Sequence, residues 1–146
     1  FGPLAFLKDS IRILRRNRSY AISLISHNHR IHLKTKFLLI TMTNTIAGFP
    51  SFSPNAQADD GYFQVYTMKK VSFFKFLWHI NEFRQGDFSK AEEISHFQTN
   101  SLSLLPQAKK QGISPRTRID GDKSDYLPIQ LDIIPKAISI IVPIKD

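Results

Sequence analysis

No cysteine occurs among the 146 residues. Disulfides and thiolate metal sites are therefore excluded, and a reducing, cytoplasmic setting is favoured over an oxidising one. No apolar run approaches the roughly 18–20 residues that a helix needs to span a bilayer. Lys8, Asp9 and Arg12 interrupt the first apolar stretch, so it does not read as a secretory leader. There is no glycine-rich phosphate loop, no Ser-His-Asp or Cys-His arrangement, no internal repeat and no low-complexity tract. The chain opens on Phe1 rather than Met, which predicts a fragment of a longer protein. What is present is a 42% hydrophobic composition, enough for one domain over residues 1–146 with a core of its own. The net charge of +8 points to an anionic partner: nucleic acid, a membrane surface or a phosphorylated substrate. The plainer reading is a surface kept soluble by Lys and Arg.

Periodicity divides the chain into many short β segments and two helices. Pro3 to Asn17 reads as a helix, with Leu4, Leu7, Ile11 and Leu14 on one face and Lys8, Arg12, Arg15, Arg16 and Arg18 around the rest. Those cations suit an anionic lipid or phosphate, or simply match the helix dipole. The second helix is Val71 to Gln85, with Ser72 as N-cap and Gly86 as stop. Its two apolar stripes, Phe73, Phe76, Leu77, Ile80 and Phe83 beside Phe74 and Trp78, call for packing over a sheet or against lipid. Strands are predicted at Tyr20–Ser26, Ile31–Thr43, Tyr62–Met68, Ile94–Leu105, Thr117–Ile119, Leu127–Ile134 and Ala137–Val142. The expected fold is mainly β (α+β): an antiparallel β-sandwich of short strands with two helices.

Two clusters invite chemistry without supporting it well. His27, His29 and His32 could face a zinc ion, but a three-residue spacing puts His29 and His32 on opposite faces of a strand. A solvated turn is the stronger reading. The aromatic and basic residues from Lys69 to Trp78 follow a helical period, which suits packing better than base stacking.

The stretch Ser53 to Tyr66 carries more. Pro54-Asn55 and Asp59-Asp60-Gly61 are turns that lead into a strand, at the end of a long loop from Asn44 to Gly61. Two adjacent carboxylates make an anionic corner that can hold Mg²⁺ or Ca²⁺ with backbone carbonyls. A second acidic group, Asp120, Asp122 and Asp125, surrounds a turn at Gly121.

Taken in order, Gly2-Pro3-Leu4-Ala5-Phe6, Asn44-Thr45-Ile46-Ala47-Gly48-Phe49, Pro54 to Phe63, Asp120-Gly121-Asp122 and Ile138 to Pro143 resemble the C-terminal domain of bacterial diacylglycerol kinase-type lipid kinases. The resemblance spans nearly the whole chain. It implies a β-rich second domain packed on a nucleotide-binding N-terminal domain, whose Gly-Gly-Asp-Gly-Thr loop is absent from this sequence. It further implies ATP as phosphoryl donor, a lipid hydroxyl as acceptor, and a cytoplasmic place at an anionic membrane surface, with no nucleic acid expected and a homodimer open. The fragment alone is expected to be inactive. Asp122 falls where the family has the Glu that acts as general base, one methylene or roughly 1.5 Å shorter. A structural Mg²⁺ would be held by the Asp60 carboxylate and the backbone carbonyls of Gln57 and Tyr62. The alternative is a non-catalytic basic β-sandwich module that binds anionic membrane or nucleic acid. A nicotinamide-nucleotide kinase kinship shares the broad architecture, although Asn44–Phe63 looks more like the lipid kinases.

Overall fold

The computed structural model describes residues 19–26, 29–45, 52–53, 56–68, 92–107 and 114–139. Both predicted helices, Pro3–Asn17 and Val71–Gln85, lie outside the described residues, as does His27.

Nine strands run through the described part in three antiparallel sheets: β1 (Tyr20–Ser26), β2 (His29–Thr35), β3 (Phe37–Thr41), β4 (Phe63–Met68), β5 (Ile94–Thr99), β6 (Ser101–Pro106), β7 (Arg116–Ile119), β8 (Asp122–Tyr126) and β9 (Ile129–Asp132). One sheet has the order β2-β1-β6-β9, the second β3-β4-β5, and β7-β8 stand as a hairpin of their own. Alternation in the sequence decides which side chains meet between the first two sheets. Ile22 and Leu24 of β1 and Leu102 and Leu104 of β6 point inward from one sheet. Phe63 and Val65 of β4 close on them from the other, and Leu127 completes the buried cluster. Leu33, Leu38, Ile40, Phe97, Ile129 and Leu131 pack around it, so the two sheets form a sandwich.

β4 is buried along its whole length. It is the middle strand of its sheet, and its second face is covered too. Phe52 stands edge-on to Tyr66 at 5.1 Å between ring centroids, and the Tyr66 hydroxyl donates to Ser53 Oγ at 2.7 Å. The loop before β4 therefore folds back over the outer face of the sheet.

Two of the predicted strands are each two strands. Ile31–Thr43 breaks at Lys36, and Ile94–Leu105 breaks at Asn100; each chain leaves one sheet there and enters the other. The same device makes both corners. Thr35 Oγ1 lies 2.6 Å from the Phe37 carbonyl and 2.7 Å from the Met68 carbonyl, one of which its single proton can serve. It also accepts the Phe37 N–H at 3.2 Å. Thr99 Oγ1 donates to the Ser101 carbonyl at 2.8 Å and accepts the Ser101 N–H at 3.4 Å. A short hydroxyl side chain thus satisfies the backbone where the ladder is interrupted. The predicted strand at Ala137–Val142 is not seen at 137–139, which have no regular structure, and its remainder lies outside the described residues.

Candidate functional site

The two acidic turns are built differently. In the first, Gly61 takes a φ of +74°, a left-handed conformation that glycine adopts without strain. This lets the chain double back so that the Asp60 carboxylate faces its own loop. Oδ2 accepts the Gln57 N–H at 3.1 Å, and Oδ1 accepts the Tyr62 N–H at 2.8 Å. The Asp60 N–H in turn donates to the Gln57 carbonyl at 3.2 Å, and the Ala56 N–H donates to the Ser53 carbonyl at 2.9 Å. Asp60 therefore ties together the residues on either side of it.

The donor set fits a hard cation. Each Asp60 oxygen accepts a single amide from the described residues and retains lone-pair capacity, as do the carbonyl oxygens of Gln57 and Tyr62. Among the described residues no three His, Asp or Glu side chains converge as a metal-ligand group. A cation here would rest on one carboxylate and main-chain oxygens. An open pocket of ≈ 380 Å³ lies beside this corner, lined by Gly61, Asn100, Ser101, Asp132, Ile133 and Pro135. Asp132 was not singled out by the sequence. Its carboxylate accepts the Ser101 hydroxyl at 2.7 Å and the Gln130 amide at 2.8 Å. Only the strand pairing, which sets Ser101 opposite Asp132, could have revealed it.

The second turn is the tip of the β7–β8 hairpin. Asp120 has φ +50° and Gly121 φ +93°, and Ile119 pairs with Asp122 across them. Two successive residues with positive φ make the turn whose twist suits a two-residue hairpin, and Asp-Gly is a favoured pair for it. Asp120 is thus accounted for by turn chemistry. Asp122 opens β8 and is exposed, with no hydrogen-bond or ion-pair partner for its carboxylate among the described residues. None of the hairpin tip lines the pocket beside Gly61.

The histidines divide by role. His32 Nδ1 lies 2.9 Å from Ser23 Oγ and 2.7 Å from Gln107 Nε2. It is occupied in a side-chain network rather than held open for a metal. His96 went unnoticed in the sequence. It stacks on Tyr66 at 4.5 Å, and its Nε2 lies 2.8 Å from Gln64 Oε1. Burial lowers the His96 pKa. Burial raises that of Tyr66, opposed by the hydrogen bond to Ser53. Gln64 is fully buried, and its Nε2 has no partner among the described residues. No described helix is long and apolar enough to cross a membrane.

Comparison with known proteins bears on the family and the fold. Residues 1–142 match the family model described as the YegS C-terminal NAD kinase beta sandwich-like domain. The diacylglycerol kinase of Bacillus subtilis is 20% identical over 142 residues, which are 97% of this chain and 45% of that protein. The diacylglycerol kinase of Staphylococcus epidermidis strain RP62A is 23% identical over 146 residues, covering 99% of this chain and 44% of that protein. A crystal structure of a diacylglycerol kinase from Bacillus anthracis superposes with a TM-score of 0.63 at 20% identity, over 84% of this chain and 41% of that one. The chain thus spans less than half the length of these relatives.

Proposed function

We propose, from the premise that the chain belongs to the YegS C-terminal NAD kinase beta sandwich-like domain family, that it is the C-terminal domain of an ATP-dependent lipid kinase. The whole protein would transfer the γ-phosphoryl group of ATP to a lipid hydroxyl, diacylglycerol or a similar membrane alcohol, giving a phosphatidic acid-type product. The observation that carries this reading is the match of nearly the entire chain to proteins named diacylglycerol kinase. The partners are the lipid, an anionic membrane surface and the protein's own N-terminal domain, which would hold most of the ATP.

Asp122 is the group we assign as general base. An exposed carboxylate at a hairpin tip, with no partner among the described residues, can meet a hydroxyl brought by a second domain. It would take the proton from the lipid hydroxyl as that oxygen attacks the γ-phosphorus. Its side chain is shorter than the Glu of similar lipid kinases, so the hairpin must advance to compensate. Asp60, with the carbonyls of Gln57 and Tyr62, would hold Mg²⁺. Bound there, the ion supplies structural charge compensation at a loop end and no proton transfer. The two amides on Asp60 already orient its carboxylate for that role.

The test is a kinase assay on the full-length protein with diacylglycerol in mixed micelles, wild type against Asp122→Ala. Loss of turnover in the variant supports the assignment. Full activity in the variant removes Asp122 as base, and no lipid phosphorylation by the wild type removes the reading itself.

A further inference from the structure

The β7–β8 hairpin has a second face, and an irregularity in its pairing decides what that face carries. Arg116 pairs with Tyr126, Arg118 with Lys123, and Ile119 with Asp122. One residue on β7, Thr117, therefore lies opposite two on β8, Ser124 and Asp125, which form a bulge. Arg116 and Arg118 are two apart and share a face, and residues directly opposite one another share a face as well. The bulge thereby sets Arg116, Arg118, Lys123 and Tyr126 on one side. Without it, Lys123 and Tyr126 would point to opposite sides.

Arg116 and Arg118 are held by hydrogen bonds, and neither they nor Lys123 form an ion pair among the described residues. Arg116 Nε donates to the Ser124 carbonyl at 2.9 Å, and its guanidinium lies over the Tyr126 ring at 5.3 Å. Arg118 Nη1 donates to the Gly121 carbonyl at 2.7 Å. Among the described residues each guanidinium has one or two contacts, which leaves most of its five donors available there. Asp120, Asp122 and Asp125 share the hairpin, yet none forms an ion pair with these cations. On the same face stands one exposed aromatic ring, Tyr126 at 54%, while Ile119 pairs with Asp122 on the opposite face. Cations beside an exposed aromatic ring fit the headgroup region of an anionic bilayer, where phosphates and the interfacial boundary adjoin.

We propose that the Arg116–Arg118–Lys123 face binds the phosphate groups of anionic phospholipids in the membrane. The proposal rests on the lipid-kinase reading for its consequence: the hairpin that carries Asp122 would be the part that lands on the bilayer, so the base would meet its substrate at the headgroup level.

The experiment measures partition of the full-length protein onto vesicles of phosphatidylcholine alone and of phosphatidylcholine with phosphatidylglycerol. Removing all three charges (Arg116→Gln, Arg118→Gln, Lys123→Gln) is expected to weaken binding to the anionic vesicles on the order of 10²-fold at low salt, about fivefold per cation. Arg116→Lys with Arg118→Lys should retain most of it. Should the triple variant fail to fold, Lys123→Gln alone reads the roughly fivefold step. Wild-type partition by these variants would overturn the proposal. So would an equal loss from Arg30→Gln with Lys34→Gln, cations on the edge strand β2, since that would indicate diffuse charge. A raised KM for ATP with unchanged vesicle binding would assign the face to nucleotide phosphate instead. Absence of lipid phosphorylation by the wild type sinks the kinase reading separately, because partition is read without turnover.

Discussion

Two turns in this chain look alike in sequence and behave oppositely in the structure. Asp59-Asp60-Gly61 and Asp120-Gly121-Asp122 both put carboxylates around a glycine with positive φ. At the first, the carboxylate is consumed by the fold, with two backbone amides directed at one Asp. At the second, two positive φ values make the turn, Arg118 bonds the Gly121 carbonyl, and the Asp122 carboxylate has no partner among the described residues. A carboxylate that holds its own loop is poorly suited to receive a proton, because protonation would weaken the bonds that position it. One without intramolecular partners carries no such penalty. Composition does not distinguish the two turns; the direction of the backbone amides does.

The contrast can be broken by substitution. The largest effect is expected at Asp122→Ala in the full-length protein. Turnover should fall on the order of 10²–10⁴-fold while the thermal midpoint stays at the wild-type value, because no described contact is lost. A comparable drop in stability would show that Asp122 is structural. Asp60→Ala should do the reverse. Two amides lose their acceptor, and urea denaturation should register a loss of about 1–3 kcal/mol. Adding Mg²⁺ should raise the wild-type midpoint and leave that of the variant where it was; equal shifts in both would remove Asp60 as ligand. Smaller still are Gly61→Ala and Gly121→Ala. A Cβ at either position meets nothing within 4 Å, so each should cost only the left-handed backbone, about 1 kcal/mol, and the two costs should match in the isolated domain.

The smallest effect concerns what the Asp60 loop covers. Ser53 and Phe52 rest on Tyr66, and Tyr66 on His96. Burial lowers the His96 pKa, so the folded state favours the neutral ring. The unfolded chain then binds the proton more readily. The stability that His96 contributes is present above its unfolded pKa and is lost as pH falls through that value and below. Urea midpoints taken from neutral to mildly acidic pH should decline slightly, and the decline should be shallower in His96→Gln. An identical slope in both would detach His96 from the effect.

Much of the fold is legible from alternation. Tyr20–Ser26 falls on β1, and Tyr62–Met68 on β4 with one residue to spare. Both strands alternate in sequence and adjoin turn residues, His27-Asn28 after the first and Asp60-Gly61 before the second. The corners at Lys36 and Asn100 are not legible, because neither is marked by Gly or Pro. Thr-Lys-Phe and Thr-Asn-Ser read as continuing strand, and only the threonine hydroxyls, bonding two residues on, reveal the break. The Asp-Gly turns announce themselves locally. The bulge that gathers Arg116, Arg118 and Lys123 depends on pairing, which no single segment encodes. Asp132 and His96 gain their neighbours in the same way, from the strand across.

The threonine corners have a mechanical meaning. Thr35 pairs opposite Tyr20, at the start of β1, and Thr99 bonds Ser26, at its end. The two sheets are thus riveted by single-residue links at both ends of one strand, roughly 20 Å apart. Neither sheet can slide along the other or peel away from one side without tearing a rivet. The sandwich should therefore open only as a unit, its slowest amide exchange uniform across β1, β4 and β6. Among the described strands, the β7–β8 hairpin alone stands outside these two sheets, on its own two strands.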